Sequence, residues 1–352
     1  MKINKQNYII YFGLNSFYEH KRGVENVIDF QSKAFYFDKI YYVHWGSKTT
    51  AYKNKKFICV SIKHCWYWPI LLNMVLLIIY RKKKVIIHSH NSLFSFCSIF
   101  KTDIFTVHDG LYYLNKSKKG KFNFLFFIVE KFIYYRCTIV HFISNYTKEQ
   151  SLFGNCKNFV IIPNTSHFEH AVISTNDAQI ISNIKNILIV RSIEERARID
   201  LLIEVADKLR GWNYKFIVAG KGPLLEYYKK EIHKKNIPNI LMLGYVNDEE
   251  LLHLYLNCDI VLMIAEYGEG FGLPILEGYL FNKPVIASNR CAIPEVIISK
   301  DYLFENSTDG IIKSLENVSN ILPNNFREYY DRSFSNSIVL TKFKDLYSNI
   351  LL

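Results

Sequence analysis

Two glutamates stand eight residues apart around a glycine-rich turn in residues 265–295, AEYGEGFGLPILEGYLFNKPVIASNRCAIPE. A strand is predicted to end at Ile264, and a helix is predicted to begin near Pro274. Backbone N–H groups and a helix N-terminus then face whatever occupies the turn, which favours a phosphate. The carboxylates of Glu269 and Glu277 can accept hydrogen bonds from sugar hydroxyls, and one near a reaction centre can stabilise developing positive charge. An ordinary turn with solvated glutamates fits the same spacing.

Charged and polar residues also follow other predicted strands. Arg191 and Arg196 come after the run NILIV, and His108 follows the run FTV. Open α/β sheets bind ligands at the carboxyl ends of their strands, so His108 is a candidate although a lone histidine is usually structural. His88 and His90 end another strand and are expected to pack or to line an acceptor site. Arg191 and Arg196 could instead be solvated charges on a loop without a role in binding.

These residues require a scaffold of strands that alternate with helices. Continuous apolar runs separated by helical segments indicate parallel sheets buried on both faces, so we predict two doubly wound sheets. The polar stretch 173–185 lies between the two series and is the predicted linker. The runs are YIIYFG, KIYYVHW, KFICVSI, KVIIHSH, DIFTVHD, CTIVHFIS and FVIIPN, then NILIVRS, YKFIVAG, NILMLGYV, DIVLMIA and KPVIASN.

Composition and charge restrict the function classes. A chain of 352 residues suits two domains, and its seven scattered cysteines favour neither a disulfide framework nor a zinc site and suit a reducing cytosol. The N-terminus does not read as a signal peptide. Residues 1–180 contain 24 Lys and Arg against 10 Asp and Glu, which indicates an anionic partner such as a membrane surface or a phosphate. A nucleic acid would also be an anionic partner, but no nucleic-acid-binding motif in the sequence supports one.

Two apolar segments of the first half need comparison with a membrane span. Residues 66–80, WYWPILLNMVLLIIY, are shorter than the roughly 20 residues of a spanning helix and are predicted to form a buried helix beside the sheet. Residues 122–136, FNFLFFIVEKFIYYR, have basic and aromatic flanks. They suit either an interfacial helix or an amphipathic helix packed on its sheet.

The run from Glu269 to Glu277, with Gly278, the segment KPVIAS at 283–288 and Glu295, resembles the E-x7-E signature of retaining glycosyltransferases of family 4. The resemblance is specific over residues 186–296 and diffuse before them. It implies an α/β, GT-B-like fold in which two Rossmann-like doubly wound parallel-sheet domains face a cleft. The implied domains are an acceptor-binding domain 1–172, a donor-binding domain 173–337 and a helix 338–352 that returns to the first domain.

The resemblance also implies roles for single residues. His108 and Glu269 would act at the donor sugar, and Glu277 would hold the ribose. In the family a lysine that contacts the diphosphate follows the arginine at the position of Arg191 by five or six residues. Here Ala197 occupies that position, so Arg196 or Arg198 would supply the positive charge. Gly23 would let the first loop approach the phosphate. The other residues implied to bind the donor are Arg191, Tyr245, Val246, Gly270, Phe271, Gly272 and Leu273.

The function implied is a retaining, metal-independent glycosyltransferase that uses a nucleotide-diphosphate sugar as co-substrate and needs no cofactor. Its acceptor would be a polyprenyl-diphosphate-linked saccharide of O-antigen or capsule assembly, at the anionic inner face of the cytoplasmic membrane, with no nucleic-acid partner. The alternatives are a nucleotide-sugar epimerase or phosphorylase and a catalytically silent saccharide-binding or scaffold partner.

Overall fold

The computed structural model describes residues 7–16, 23–80, 84–108, 123–155, 158–170, 184–318, 321 and 325–352. The chain divides into two units. The first contains residues 1–164 and 337–352, and the second contains residues 165–336. The boundary predicted between residues 172 and 173 lies outside the described residues.

The first unit is built on a sheet of eight strands in the order β3-β4-β2-β1-β5-β6-β7-β8. Adjacent strands are parallel, except that β3 pairs antiparallel with β4, which corrects the expectation of purely parallel sheets. The strands are β1 (Asn7–Phe12), β2 (Lys39–Gly46), β3 (Thr50–Asn54), β4 (Phe57–Lys63), β5 (Lys84–Ser89), β6 (Ile104–Val107), β7 (Ile139–Phe142) and β8 (Phe159–Ile161).

Helices cover both faces of this sheet. One face packs against the helices Gly23–Gln31 and Asn336–Leu351 through residues such as Ile28 and Tyr347, and the other packs against the helix Trp68–Ile79 through Leu72 and Leu76. Because alternate strand residues point to opposite faces, strands with apolar residues at every position are buried on both sides. The helices of the unit are α1 (Gly23–Gln31), α2 (Trp68–Ile79), α3 (Ser92–Cys97), α4 (Asn123–Arg136), α5 (Asn145–Glu149) and α13 (Asn336–Leu351).

The second unit has six parallel strands in the order β11-β10-β9-β12-β13-β14. The strand order reverses between β9 and β12, so the loops after these two strands lie side by side at the carboxyl edge. The strands are β9 (Lys185–Val190), β10 (Tyr214–Ala219), β11 (Ile240–Gly244), β12 (Ile260–Met263), β13 (Val285–Ser288) and β14 (Leu303–Phe304).

The helices of the second unit connect these strands and follow the last one. They are α6 (Ile199–Lys208), α7 (Leu225–Lys234), α8 (Asp248–Asn257), α9 (Leu273–Leu280), α10 (Ile293–Val296), α11 (Thr308–Asn317) and α12 (Phe326–Ser333). Short 3-10 turns occupy His167–His170, Glu195–Ala197 and Lys300–Tyr302.

The α/β fold predicted from the alternating runs is confirmed in both units. The prediction of a buried helix at residues 66–80 is only half right. In α2, Leu72, Leu76 and Ile79 are buried, whereas Ile70 and Ile78 are exposed on the opposite side. Among the residues that the structure describes, no helix has the length and hydropathy needed to cross a bilayer.

Candidate functional site

The switch point of the second sheet brings together the loop after β9 and the loop after β12. The Glu266 N–H donates to the Arg196 carbonyl at 2.9 Å, and the Arg196 side chain donates from Nη1 to the Gly268 carbonyl at 2.6 Å. These two bonds join the arginine loop to the glycine loop. Two segments that the sequence separates by about 70 residues therefore form one site.

Two glycines shape the loop after β12. Gly268 and Gly272 have φ values of 66° and 94°, in the left-handed region that favours glycine. Gly272 is the N-cap of α9, and no side chain caps this helix. The first backbone N–H groups of a helix have no partner within it, so the N-terminus at Leu273 can accept an anion. Gly270 and Phe271 between them are buried.

Arg191 and Glu269 form a short ion pair, with Nη1 at 2.5 Å from Oε2. The Arg191 side chain is only 7% exposed and that of Glu269 is 18% exposed. The Arg191 Nε atom is buried without a hydrogen-bond partner among the described residues. A buried donor without a partner is costly, so this guanidinium retains capacity for a further acceptor.

The two arginines that flank Ala197 have different partners. Arg198 donates to Glu266 at 2.9 Å and pairs with Asp200 at 3.1 Å, so two carboxylates hold it. Arg196 reaches the glycine loop through the Gly268 carbonyl, as described above, and pairs with one carboxylate, that of Glu194, at 3.3 Å. Ala197 itself is buried at 1% exposure, where a lysine side chain would not fit without rearrangement.

Glu277 lies on α9 and is buried. Its Oε2 accepts a hydrogen bond from the Tyr255 hydroxyl at 2.6 Å, and its Oε1 lies 3.9 Å from His167 Nδ1. Burial raises the pKa of the Glu277 carboxyl, against the opposing effects of His167 and the Tyr255 hydrogen bond. His167 and Tyr255 belong to this cluster, yet no sequence motif indicated them.

The loop after β11 carries an exposed aromatic ring. Tyr245 is 69% exposed, and the Lys221 ammonium lies 5.0 Å from its ring centroid. Val246 beside it is partly exposed. Gly244, with φ of 80°, accepts a hydrogen bond from the Gly220 N–H at 2.7 Å, which ties this loop to the one after β10. An exposed ring at a sheet edge can stack on a planar ligand.

Asn306 and Ser288 support the glycine loop from behind. Ser288 Oγ accepts from the Ala265 N–H at 3.0 Å and donates to Asn306 Oδ1 at 2.6 Å. Asn306 Nδ2 donates to the Ala265 carbonyl and to Glu266 Oε2. The start of the loop is thus held by side chains that the sequence analysis did not single out.

His108 and Gly23 belong to the first unit, and the other predicted site residues belong to the second. Gly23 begins α1, and the loop before it, residues 17–22, lies outside the described residues. His108 Nε2 lies 2.9 Å from His90 Nδ1, and His90 Nε2 lies 3.0 Å from Gln31 Oε1. His90 therefore links His108 to α1.

When the Gln31 amide presents its oxygen to His90, that oxygen can only accept, so His90 carries its proton on Nε2 and accepts at Nδ1. In this orientation His108 donates from Nε2 and has an unprotonated Nδ1, while the Gln31 Nε2 group is buried without a partner among the described residues. Burial lowers the pKa of His108 to about 4 and, with the neighbouring histidines, lowers that of His90 well below its usual value. Both rings are neutral near pH 7.

A second chain of hydrogen bonds crosses the same sheet face. It runs from Tyr11 through the Tyr347, His88, Thr106 and His141 side chains to a backbone carbonyl, with successive distances of 2.9, 2.9, 2.7, 2.9 and 2.9 Å. Because the carbonyl of Ile162 can only accept, every proton points the same way along the chain. His88 thus packs between strands and α13.

Among the described residues, no group of three or more His, Cys, Asp and Glu side chains has the arrangement of a metal site. The predicted metal independence rests instead on the cationic groups and N–H donors above and stays a prediction. The same holds for the role of each predicted donor-binding residue.

Comparisons with known proteins place this geometry in context. Residues 175–331 match the family model described as Glycosyl transferases group 1. The O-antigen chain mannosyltransferase C of Escherichia coli is 23% identical over 162 residues, which cover 43% of each chain. The chain spans about two fifths of the length of the first curated relatives that it matches, 38% and 43%.

Solved structures match over nearly the whole chain. Sucrose-phosphate synthase from Thermosynechococcus elongatus has a TM-score of 0.79 at 14% identity and covers 99% of both chains. The Anabaena protein HepE, solved in complex with UDP and glucose, has a TM-score of 0.75 at 14% identity and covers 97% of this chain and 99% of its own. At these identities the likeness shows the fold. The chain thus has the GT-B fold, and the segment that matches the glycosyl transferases group 1 model lies within its second unit.

Proposed function

We propose that this chain is a retaining, metal-independent glycosyltransferase of the family 4 type, which moves a sugar from a nucleotide diphosphate to a saccharide acceptor. The observation that carries the proposal is the site at the switch point of the second sheet. There a partly buried Arg191–Glu269 ion pair stands beside the uncapped N-terminus of α9, within the segment that matches the glycosyl transferases group 1 model.

The geometry suits departure of a diphosphate. The N–H groups at Phe271, Gly272 and Leu273, together with the positive end of the α9 dipole, stabilise negative charge that develops on the leaving group. Arg191 and Arg196 contribute two guanidinium groups, which can bind phosphate oxygens in pairs. In the proposed reaction these groups take the charge that a divalent ion would otherwise neutralise.

Glu269 and His108 are proposed to act at the donor sugar. In the sugar-bound state the Glu269 carboxylate accepts hydrogen bonds from hydroxyl groups and stabilises positive charge at the anomeric carbon. The unprotonated Nδ1 of His108 accepts a hydrogen bond from a sugar hydroxyl. The acceptor hydroxyl attacks the anomeric carbon from the face that the diphosphate leaves and passes its proton to the departing phosphate oxygen, so the configuration is retained.

Glu277 is proposed to hold the ribose, and Tyr245 and Val246 to border the nucleobase. The buried Glu277 carboxylate already has Tyr255 on one oxygen, so its second oxygen is the one proposed to accept from a ribose hydroxyl. The exposed Tyr245 ring offers a flat apolar surface to a base. HepE was solved with UDP and glucose, which supports a nucleotide sugar as donor without identifying the base.

The proposed acceptor is a polyprenyl-diphosphate-linked saccharide of O-antigen or capsule assembly. The relative that is an O-antigen chain mannosyltransferase supports this class of product. The charge of residues 1–180, 24 basic against 10 acidic, supports an anionic acceptor and an anionic membrane surface as partners. The proposed location is the cytoplasmic face of the inner membrane.

Calorimetry and thermal shift with UDP, GDP, ADP and their sugars, without added metal, test the donor. We expect one nucleotide to bind, and Glu277→Ala to weaken its binding roughly tenfold through loss of charged hydrogen bonds. The matched control is Glu316→Ala, because Glu316 is exposed on α11. If none of the nucleotides binds, the catalytically silent scaffold is favoured. Retention of configuration is tested separately, by NMR of the anomeric proton of the product.

A further inference from the structure

The outward side of α2 is apolar along its whole length. Ile70, Met74, Leu77 and Ile78 are 53–69% exposed and recur at the spacing of one helical stripe. The helix contains no charged residue, and the side chain of Asn73 is occupied by the Pro69 and Cys97 carbonyls and the Ile99 N–H. Asn73 therefore offers no free polar group to water on the outward side.

The outward side of α4 has the same character. Its exposed side chains recur along one stripe, while Glu130, its only carboxylate, is buried and accepts from the Leu152 N–H at 2.9 Å. The exposed charge of this helix is therefore positive, at Lys131. The exposed apolar residues are Phe124, Leu125, Ile128, Phe132 and Tyr135.

Both stripes face away from the same side of the sheet. The hydrophobic cluster in which α2 packs against the sheet contains Val85 and Ile87 of β5. The cluster in which α4 packs against the sheet contains Phe105 of β6. Ser89, two residues after Ile87, pairs with Phe105 in parallel register, so these residues share a face. The two helices therefore lie on the same face of the sheet.

The turn after α3 joins the two helices. Asn73 of α2 binds the Ile99 N–H at 2.8 Å, and Arg136 of α4 donates to the Ser98 and Ile99 carbonyls at 2.5 and 2.7 Å. Leu93 and Ile99 are themselves 48% and 56% exposed. Of the 22 large apolar residues exposed in the described chain, 13 lie on this surface or at its entrance, where Trp66 and Tyr67 stand. We call these 13 residues the apolar face.

Charge, aromatic residues and an apolar cavity favour a bilayer as the occupant. Exposed Lys63, Lys101 and Lys131 lie next in sequence to residues of the apolar face or within a few positions of them, an arrangement that suits anionic headgroups. Aromatic residues near its ends, such as Trp66 and Tyr135, suit the headgroup level. A cavity of about 340 Å³ opens beside Ile78, and its lining is wholly aliphatic and aromatic.

We propose that the apolar face inserts into the interfacial region of an anionic phospholipid bilayer and holds the first unit on the membrane. This deepens the membrane partner of the proposed function by naming the surface that makes the contact. It does not depend on the catalytic chemistry, because vesicle binding needs neither donor nor acceptor. The exposed apolar side chains supply the affinity, and the lysines supply the preference for anionic lipid.

Flotation with vesicles of phosphatidylglycerol and phosphatidylcholine tests the proposal. We expect the full chain to float with mixed vesicles and to bind pure phosphatidylcholine more weakly. Ile70→Gln with Ile78→Gln, and separately Phe124→Gln with Leu125→Gln, should each lower the partition coefficient roughly tenfold or more, because burial of each side chain is favourable. The matched control is Tyr227→Gln with Leu241→Gln, two residues 57% and 45% exposed in the second unit.

A second measurement keeps the test independent of how the variants fold. Trp66 is 88% exposed, so vesicles should shift the emission to shorter wavelength in the wild-type chain, and the shift should be smaller in Trp66→Phe. Three results would overturn the proposal: no flotation of the wild-type chain, equal loss in the control variant, or self-association without lipid that the same Gln variants abolish. The third would make a second copy of the chain the occupant.

Discussion

The polar side chains at the carboxyl edges of the two sheets differ in charge. In the second unit the partly buried Arg191 and Glu269 are charged and pair directly. In the first unit the side chains at this edge are neutral, because burial keeps His90 and His108 unprotonated and hydrogen bonds align them. The comparison indicates that one edge is built to hold an anion and the other to orient uncharged groups.

The largest expected effect is at the charged edge. Glu269→Gln should lower kcat/KM about 10²–10³-fold, the size found when one electrostatic stabiliser of a transition state is removed. The measurement is initial-rate kinetics with the nucleotide sugar identified by calorimetry. The control is Glu266→Gln, whose carboxylate is held by Arg198 and Asn306 and should matter less. Equal losses in both variants would mean that the loop needs its charges only for shape.

The neutral buried histidines of the first unit should make its folded state less stable in acid. The pKa of His141 is lowered by burial from 6.5 to about 4, so the unfolded chain takes up a proton below pH 6.5 that the folded chain takes up only near pH 4. The free energy of unfolding is therefore highest above pH 6.5 and falls by about 3 kcal/mol for this group by pH 4. His141→Gln should lose less stability over the same interval.

Tryptophan emission can restrict that measurement to the first unit. The chain has four tryptophans, and the variant Trp212→Phe leaves only those at positions 45, 66 and 68, all in the first unit. Urea unfolding of this variant at pH 7.5, 6, 5 and 4.5 should show the loss. A stability that does not change across this range would contradict a neutral histidine network.

An intermediate effect is expected at Glu277. Glu277→Gln keeps the shape but removes the charge, and should raise the nucleotide dissociation constant about tenfold, a loss near 1.4 kcal/mol. Tyr255→Phe removes one hydrogen bond and keeps the carboxylate, so calorimetry should show a smaller change. The reverse order would make Tyr255 the group that matters for the ligand.

The smallest effect is expected at Gln31. Gln31→Leu removes the acceptor that orients His90, so His108 can adopt either tautomer, and kcat should fall several-fold with KM little changed. Gln31→Glu keeps an acceptor and should restore most of the rate. If both variants lose the same activity, Gln31 serves packing rather than the orientation of His108.

Sequence predicted the charged edge far better than the neutral one. The glycine loop and the start of α9 follow from a short local pattern, and Arg191 was implied by the family resemblance that this pattern carries. Gln31, His90 and His108 are separated by 59 and 18 positions, and no spacing indicates that their rings meet. His167 and Tyr255 were missed for the same reason, because they reach Glu277 from segments without a motif.

Three elements of the fold also escaped prediction for physical reasons. Strand β3 lies at the sheet edge with little burial and β14 has only two residues, so neither has the apolar run by which the other strands were found. In α2 nearly every residue is apolar, and periodicity then cannot tell the side that packs on the sheet from the side that does not. Only packing shows that half of this helix is exposed.

The first unit is interrupted by the second, and this has a consequence for synthesis. Its core includes Val339, Phe343, Leu346 and Tyr347 of α13, and the Tyr11 hydroxyl bonds to Tyr347 across 336 positions. A ribosome makes residues 165–336 before it completes α13. Synthesis of that segment takes roughly 10–30 s at about 5–20 residues per second. The unit that is made first must therefore wait for the last helix, with the apolar surface that faces α13 open to chaperones in the meantime.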